Sequence, residues 1–359
     1  MSETPLLRGD EARIRDLVEF LCSRECLGRA PGTPGGRLAR DRVQREFVEA
    51  GLEPAAADGG WLQAVPGCAG HNVLGRLSGR SGQRAIVVGA HFDHLGEAEG
   101  GEAYWGADDN AAAVAVMVEV ARLLCGRELE RSVLFCGFDG EEPPHFCTAG
   151  MGSVHFVADP PIPLEQIDTM VCMDLVGHTL GPAGMPVGVA DSLMVMGAGR
   201  GEGLGGAVDR AAARTPPGVI PRRMSCEMIP ALSDYYAFDR AQIPFLFLSC
   251  GRWEHYHQVT DTPEKLAYPK IAATAGFLAE LVVELAGLEH ERRYVPGGSD
   301  DAATVASLQA VGEALKPVDA RANMLLLALK PFSLRKNFSA LERQALSGIV
   351  SMVESAFGG

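Results

Sequence analysis

Apolar side chains recur at helical spacing over residues 11–28 and again over 38–50. The turn-rich APGTPGG lies between the two runs and Gly51 follows the second, which predicts a pair of amphipathic helices. Beyond Gly51, short and nearly continuous apolar runs alternate with helical patterns. The strand candidates are Asn72–Leu77, Arg84–Ala90, Ser132–Phe138, Thr169–Met173, Leu193–Gly197 and Pro244–Ser249. The helix candidates are Ala111–Leu124, Ser153–Val157, Gly203–Arg214, Ser233–Asp239 and Pro269–Leu285. Strands without polar alternation, separated by helices, predict an α/β fold. Its central sheet is mostly parallel or mixed, with helices on both faces. No internal repeat is present.

After Glu289 the pattern changes. Arg293–Ser299 reads as a linker, and residues 300–359 carry three helical patterns and no strand pattern. The chain therefore divides into a domain over 1–290 and a helical C-terminal extension over 300–359. Ser339-Ala-Leu-Glu342 fits a capping box that opens the last helix. Packing on the main domain, a separate small bundle and a role in oligomers all remain open for the extension.

Charge removes several classes of partner. With 46 acidic against 32 basic residues, the net charge of −14 argues against nucleic acid and anionic membranes, both of which need a basic surface. No apolar run reaches the roughly 18 residues of a membrane span. The best stretch, Ala111–Ala121, is interrupted by Glu119. The first residues show no charged-then-apolar leader. The nine cysteines are an odd number without a CxxC pair, and Cys136, Cys172 and Cys250 sit in apolar segments. These features predict buried thiols and a reducing cytoplasm.

The acids and histidines fall at particular places. In an open parallel sheet, ligands bind outside the carboxyl ends of the strands. The Arg84–Ala90 run ends in His91-Phe92-Asp93, and Ser132–Phe138 ends in Asp139-Gly140-Glu141-Glu142. Met173 leads straight into Asp174, Asp108-Asp109-Asn110 precedes an apolar helix, and Tyr256-His257 follow the Pro244–Ser249 run. Singly, each has a plainer reading: Asp108 as a helix N-cap, Glu141 and Glu142 as a solvated turn, His91 as a satisfied histidine. Together they crowd carboxylates at one edge, where they repel each other unless cations neutralise them. Two histidines and three carboxylates suit a pair of zinc-like ions that polarise a carbonyl. Of two adjacent glutamates, one can bind metal while its neighbour takes the proton from water.

The blocks VGAHFDHLG, GADDNAAAVAVMVEVARLL, FDGEE, MDLVG and YHQVTDTPEKL resemble, in order and spacing, the M28 family of dizinc aminopeptidases. The resemblance spans roughly Leu17 to Leu288. It implies a zinc-exopeptidase-like fold and two Zn2+ ions. His91 and Asp174 are implied to hold one ion, Glu142 and His257 the other, and Asp109 to bridge them. It further implies that Asp93 orients His91, that Glu141 is the general base and that Tyr256 hydrogen-bonds the developing oxyanion. Asp261 is implied, more loosely, to support His257.

Two departures from the family pattern stand out. PPHFCTAGM forms a longer link between Glu142 and Gly152-Ser153 than the family's short Gly-containing one, and is expected to reshape the substrate pocket. His145 on it is an extra ligand or a plain loop histidine. Ala112-Ala113 replace the family's usual Ser-Gly with little expected effect. His71, His94, His155, His178, His255 and His290 are expected at the surface or beside the site, His94 and His178 being nearest to it. Trp253 and Glu254 either line the pocket or pack the loop.

The expected activity is that of a zinc-dependent aminopeptidase acting on peptides with a free N-terminus. A metal-bridged hydroxide attacks, with Glu141 as base. The alternatives are glutaminyl cyclisation, a carboxypeptidase or amidohydrolase, or a non-catalytic binding protein. A carboxypeptidase needs a cation for the substrate carboxylate, which Arg222, Arg223 or Arg252 can supply.

Overall fold

In the computed structural model, residues 6–81, 83–226, 233–287, 292–333, 335 and 338–357 are described, 354–357 in backbone only. Among these described residues, nine strands form one mixed sheet: β1 (Glu53–Pro54), β2 (Leu62–Val65), β3 (Gly70–Leu77), β4 (Ala85–His91), β5 (Ser132–Phe138), β6 (Ile167–Met173), β7 (Ser192–Met196), β8 (Ile220–Met224) and β9 (Phe245–Ser249). Their order is β1-β3-β5-β4-β6-β9-β7-β8, with β2 also paired to β3. The central four, β5-β4-β6-β9, are mutually parallel. β3 runs antiparallel to β5, and β7 antiparallel to β9. Sequence reading finds β3, β4, β5, β6, β7 and β9 within two residues at each end and misses β1, β2 and β8. β1 is two exposed residues, and β8 carries Arg222 and Arg223 in its centre, so neither presents an apolar run.

The parallel strands are buried on both faces because their apolar side chains feed two cores in alternation. Ile86, Val88 and Ala90 of β4 join one core, and Ala85 and Val87 join the other. In β5, Val133 and Phe135 face the first core while Leu134, Cys136 and Phe138 face the second. Period-2 geometry sends successive side chains to opposite faces, so a strand covered on both sides reads as a continuous apolar run.

The first core is closed by α1 (Glu11–Leu21), α2 (Pro34–Glu49), α3 (Ala112–Leu124), α6 (Leu204–Ala212) and α8 (Tyr268–Ala286). α1 stops at Leu21, short of residue 28, and a 3-10 turn over Leu27–Arg29 replaces its expected last turns. The charge that interrupts the apolar run of α3 has a specific partner. Glu119 is 1% exposed and accepts from Arg13 Nε at 2.8 Å and from the Asp10 amide at 2.9 Å. The second face carries α4 (Gly152–Ala158), α7 (Tyr235–Arg240) and part of the C-terminal helices α9 (Asp301–Leu315), α10 (Arg321–Leu329) and α11 (Ala340–Phe357). The short α5 (Val187–Ala190) packs against α9.

The extension packs on the sheet. α9 lies along β8, where the Ser225 amide donates to Thr304 Oγ1 at 2.8 Å. The linker is tied down as well, since Tyr294 bridges to Gly201. The capping box forms as expected: the Ser339 amide donates to Glu342 Oε2 at 2.8 Å and the Glu342 amide to Ser339 Oγ at 3.4 Å. All nine cysteines are free. Among the described residues, no helix is long and apolar enough to cross a membrane.

Candidate metal centre

The parallel arrangement of β4, β5, β6 and β9 puts all four carboxyl ends on one edge. β4 ends on His91, β5 runs into Asp139–Glu142, and β6 into Asp174. Asp109 arrives from the segment before α3, and His257 from the loop after β9. These five side chains converge. His91 Nε2 lies 3.4 Å from Asp109 Oδ1 and 3.7 Å from Asp174 Oδ2. His257 Nε2 lies 3.2 Å from Asp109 Oδ2 and 3.1 Å from Glu142 Oε2. Asp109 therefore turns one oxygen to each histidine, and the remaining ligand candidates divide between them.

Two groups of potential ligand atoms result, one from His91, Glu141 and Asp174 and one from His94, Asp109 and Glu142. Several of these atoms are buried and lack a hydrogen-bond partner: both ring nitrogens of His91, Nε2 of His94, Asp109 Oδ2 and Asp174 Oδ1. Buried polar atoms are normally satisfied. Orphaned imidazole and carboxylate atoms facing one another fit divalent cations of the zinc type.

The titration behaviour carries the same tension. Burial alone would lower the His91 and His257 pKa values, but the surrounding carboxylates win. His91 is raised well above its usual value and His257 to about 10. Burial opposes ionisation of Asp109 too, but the imidazoles of His257 and His91 beside it hold it well below the usual carboxylate range. Burial raises Asp174 to about 6, and raises Glu141 well above normal with help from Asp174 and Glu142.

Other residues hold this geometry in place. Asp93 sits 3.5 Å from His91 Nδ1, longer than a good hydrogen bond. Its oxygens accept instead from the Glu141 amide at 3.1 Å and the Glu142 amide at 3.2 Å, so it anchors the glutamate pair. Asp261 contrasts with the expected support of His257. Fully buried, it accepts from the amides of Asp108 at 3.0 Å and Asp109 at 3.1 Å, and so positions the bridging candidate. Asp108 is not a helix cap. It accepts from the Gly177 amide at 2.6 Å and meets His178 Nδ1 at 2.7 Å. Trp253 stacks on His178 with centroids 4.8 Å apart, so it packs the loop.

One contributor is placed only beside the site by sequence reading, and a second escapes it. His94 Nδ1 lies 2.7 Å from Glu142 Oε1 and fixes that carboxylate; its place three residues after His91 was the available signal. Arg29 is 0% exposed and donates to five backbone carbonyls, those of Leu21, Phe92, Trp105, Gly106 and Asp109. It clamps the end of β4 to the Asp109 segment. Nothing in the sequence around it announces that role.

Above the acids opens a cleft of about 380 Å³, including its open mouth, lined by Asp109, Glu141, Asp174, Phe247, Arg252 and Tyr256 among others. Tyr256 stacks on His257 with ring centroids 3.9 Å apart. Burial raises the phenol pKa above its usual value, so it remains a neutral donor. The loop Pro143–Met151 is not among the residues lining this cleft. Its turn bonds run inward, from the His145 amide to the Glu142 carbonyl at 3.0 Å and from the Thr148 amide to the His145 carbonyl at 2.9 Å. Pro143, Pro144 and Cys147 face solvent. His145 belongs to neither ligand group, and His290 lies outside the described residues.

The family model for Peptidase family M28 matches residues 72–282. Among curated proteins, the "Uncharacterized protein YfbL" of Escherichia coli (strain K12) is 34% identical over 96 residues, which is 26% of this chain and 28% of that relative's length. Among solved structures, LapB from Legionella pneumophila matches with TM-score 0.63 and 19% identity, over 77% of this chain and 72% of its own. An aminopeptidase from Aneurinibacillus sp. strain AM-1 matches with TM-score 0.59 and 15% identity, over 79% of this chain and 96% of its own. Fimbriiglobus ruber glutaminyl cyclase matches with TM-score 0.58 and 21% identity, over 79% of this chain and 97% of its own.

Proposed function

Because this chain belongs to peptidase family M28, we propose that it is a zinc-dependent aminopeptidase cleaving the first peptide bond of substrates with a free N-terminus. The observation that carries this reading is Asp109, which faces His91 with one oxygen and His257 with the other, with Glu141 alongside. In this reading His91 and Asp174 would hold one zinc ion, Glu142 and His257 the other, and Asp109 would serve both. A zinc pair supplies Lewis-acid polarisation of the scissile carbonyl and lowers the pKa of water.

The chain's own groups do the rest. Glu141 Oε2 lies 3.7 Å from His91 Nε2 at the cleft floor, where it accepts the proton of the attacking water and delivers it to the leaving amine. Its raised pKa, due first to burial, suits a group that must both take and return a proton. The Tyr256 hydroxyl donates to the oxyanion as it forms. Asp93 keeps the two glutamates in register through their amides.

The glutaminyl cyclases among similar structures make cyclisation the competing reading. The complete five-residue ligand set with a carboxylate to spare favours hydrolysis. The test is a panel of free, N-acetylated and N-terminal glutamine peptides, run before and after chelation and with zinc restored. Zinc-dependent release of the first residue from free peptides alone supports the reading. Equal rates on acetylated peptides, or pyroglutamyl products from the glutamine peptide, overturn it.

A further inference from the structure

Three arginines were candidates to hold a substrate carboxylate, and the structure separates them. Arg222 is 9% exposed and engaged, with Nε donating to Ser192 Oγ at 2.7 Å and a terminal nitrogen to the Gly188 carbonyl. Arg223 Nε lies 3.4 Å from both the Asp209 and Asp300 carboxylates. Arg252 alone of the three lines the cleft, with Asp109, Glu141 and Asp174. Among the described residues it makes no hydrogen bond or ion pair, and its contact is with a ring: Cζ lies 4.7 Å from the Tyr256 centroid.

We propose that Arg252 is a specificity residue that receives a substrate carboxylate at the lip of the cleft, so that peptides bearing an anion next to the scissile bond are preferred. This rests on the peptidase reading of the site. The anion is either the side chain of an acidic N-terminal residue or the C-terminal carboxylate of a dipeptide.

Geometry and charge both carry the assignment. Gly251, with φ of 85°, turns the chain just before Arg252, and a side chain there would be strained. The guanidinium rests by Tyr256, and Tyr256 stacks on His257, so cation, phenol and metal-facing imidazole form one wall. An arginine that meets an aromatic ring keeps its in-plane N–H donors, whose fork matches a carboxylate. The acids of the cleft floor do not consume this charge, since none pairs with Arg252. Once cations neutralise the floor, the lip presents an uncompensated positive charge. Arg252 is the sole lysine or arginine among the described cleft residues. The same charge repels lysine or arginine at the N-terminus of a substrate.

The experiment compares two matched pairs on zinc-loaded wild-type protein, Arg252→Lys and Arg252→Met. One pair is a peptide beginning with glutamate against its glutamine counterpart; the other is leucyl-leucine against its C-terminal amide. In the wild type, kcat/KM should favour the anionic member of one pair by 10-fold or more. Arg252→Met should bring that ratio within 2-fold of unity, with Arg252→Lys between. The pair that responds identifies the source of the carboxylate. Ratios near unity for both pairs in the wild type, or a preference that survives Arg252→Met, overturn the proposal. Calorimetric binding of the same compounds separates this proposal from the activity. If the anionic member binds more tightly, loses that advantage in Arg252→Met, and yet no peptide is cleaved, carboxylate capture stands and the aminopeptidase reading falls.

Discussion

Arg29 reaches the carbonyl of Asp109 across 80 positions of sequence and donates to it at 3.1 Å, and among the described residues no carboxylate pairs with its buried charge. Five carbonyls share that charge, and they come from both sides of the candidate metal centre. Leaving one buried polar group unsatisfied costs about 1–3 kcal/mol. Arg29→Lys, with only three donors, should therefore lower unfolding stability by roughly 2–4 kcal/mol, read from denaturant midpoints on chelated protein. A loss under about 0.5 kcal/mol, the size of an ordinary surface change, would show that the clamp is dispensable.

Glu141 and Glu142 are neighbours with opposite expected phenotypes. Glu141→Gln keeps the shape of the carboxylate but cannot take up a proton. It should retain metal and peptide binding while kcat falls by roughly 100-fold or more. Glu142→Ala should lose metal and activity together. Metal analysis beside steady-state kinetics separates the two, and loss of metal from Glu141→Gln would contradict the assignment.

His94 should matter through Glu142. Its imidazole sits 2.7 Å from Glu142 Oε1, and partners of metal ligands typically contribute about 10–100-fold in affinity. His94→Ala should weaken zinc binding on that scale in competition with a chromophoric chelator. An unchanged affinity would make His94 a packing residue only.

The metal-free protein should lose stability as pH rises. Burial raises Asp234 to about 7 and Asp261 to about 8, from an ordinary 3.8. His257 shifts from 6.5 to about 10: burial pulls it down, but Asp109 and Glu142 raise it further. In each case the folded chain holds protons that the unfolded chain has released. The aspartates' contributions are present at acid pH and lost between pH 4 and 8. That of His257 is complete below about 6.5 and lost as pH rises to about 10. The thermal midpoint of chelated protein should fall by on the order of 5 °C or more between pH 5 and pH 9. Zinc should stabilise more at the higher pH, where its ligands are already deprotonated. A chelated midpoint that rises over this range would contradict the protonation pattern.

The strands β4, β5, β6 and β9 were legible because two-sided burial leaves continuous apolar runs, and their acidic ends then marked the edge where ligands gather. His91, Asp174 and the Glu141-Glu142 pair were legible for the same reason, as polar residues placed where apolar runs stop, whereas the ligand set with Asp109 and His257 came from the resemblance to the M28 family. Arg29 and Asp261 were not. Their partners are backbone groups distant in sequence, and a hydrogen bond to a carbonyl or an amide leaves no trace in the partner's side chain. Proximity along the chain to Glu142 does not fix the direction of the Pro143–Met151 loop, whose Pro143, Pro144 and Cys147 face solvent. Arg222, Arg223 and Arg252 look equivalent in composition. Only their burial and partners distinguish the structural pair from the one facing the cleft.

The central claim is a two-ion centre bridged by Asp109, and metal stoichiometry tests it most directly. Chelated protein titrated with zinc and followed by calorimetry and elemental analysis should bind two ions per chain. Asp109→Ala should disturb both binding events at once, since each histidine faces one of its oxygens. Binding of a single ion by the wild type, or loss of only one of two ions in Asp109→Ala, would contradict the account.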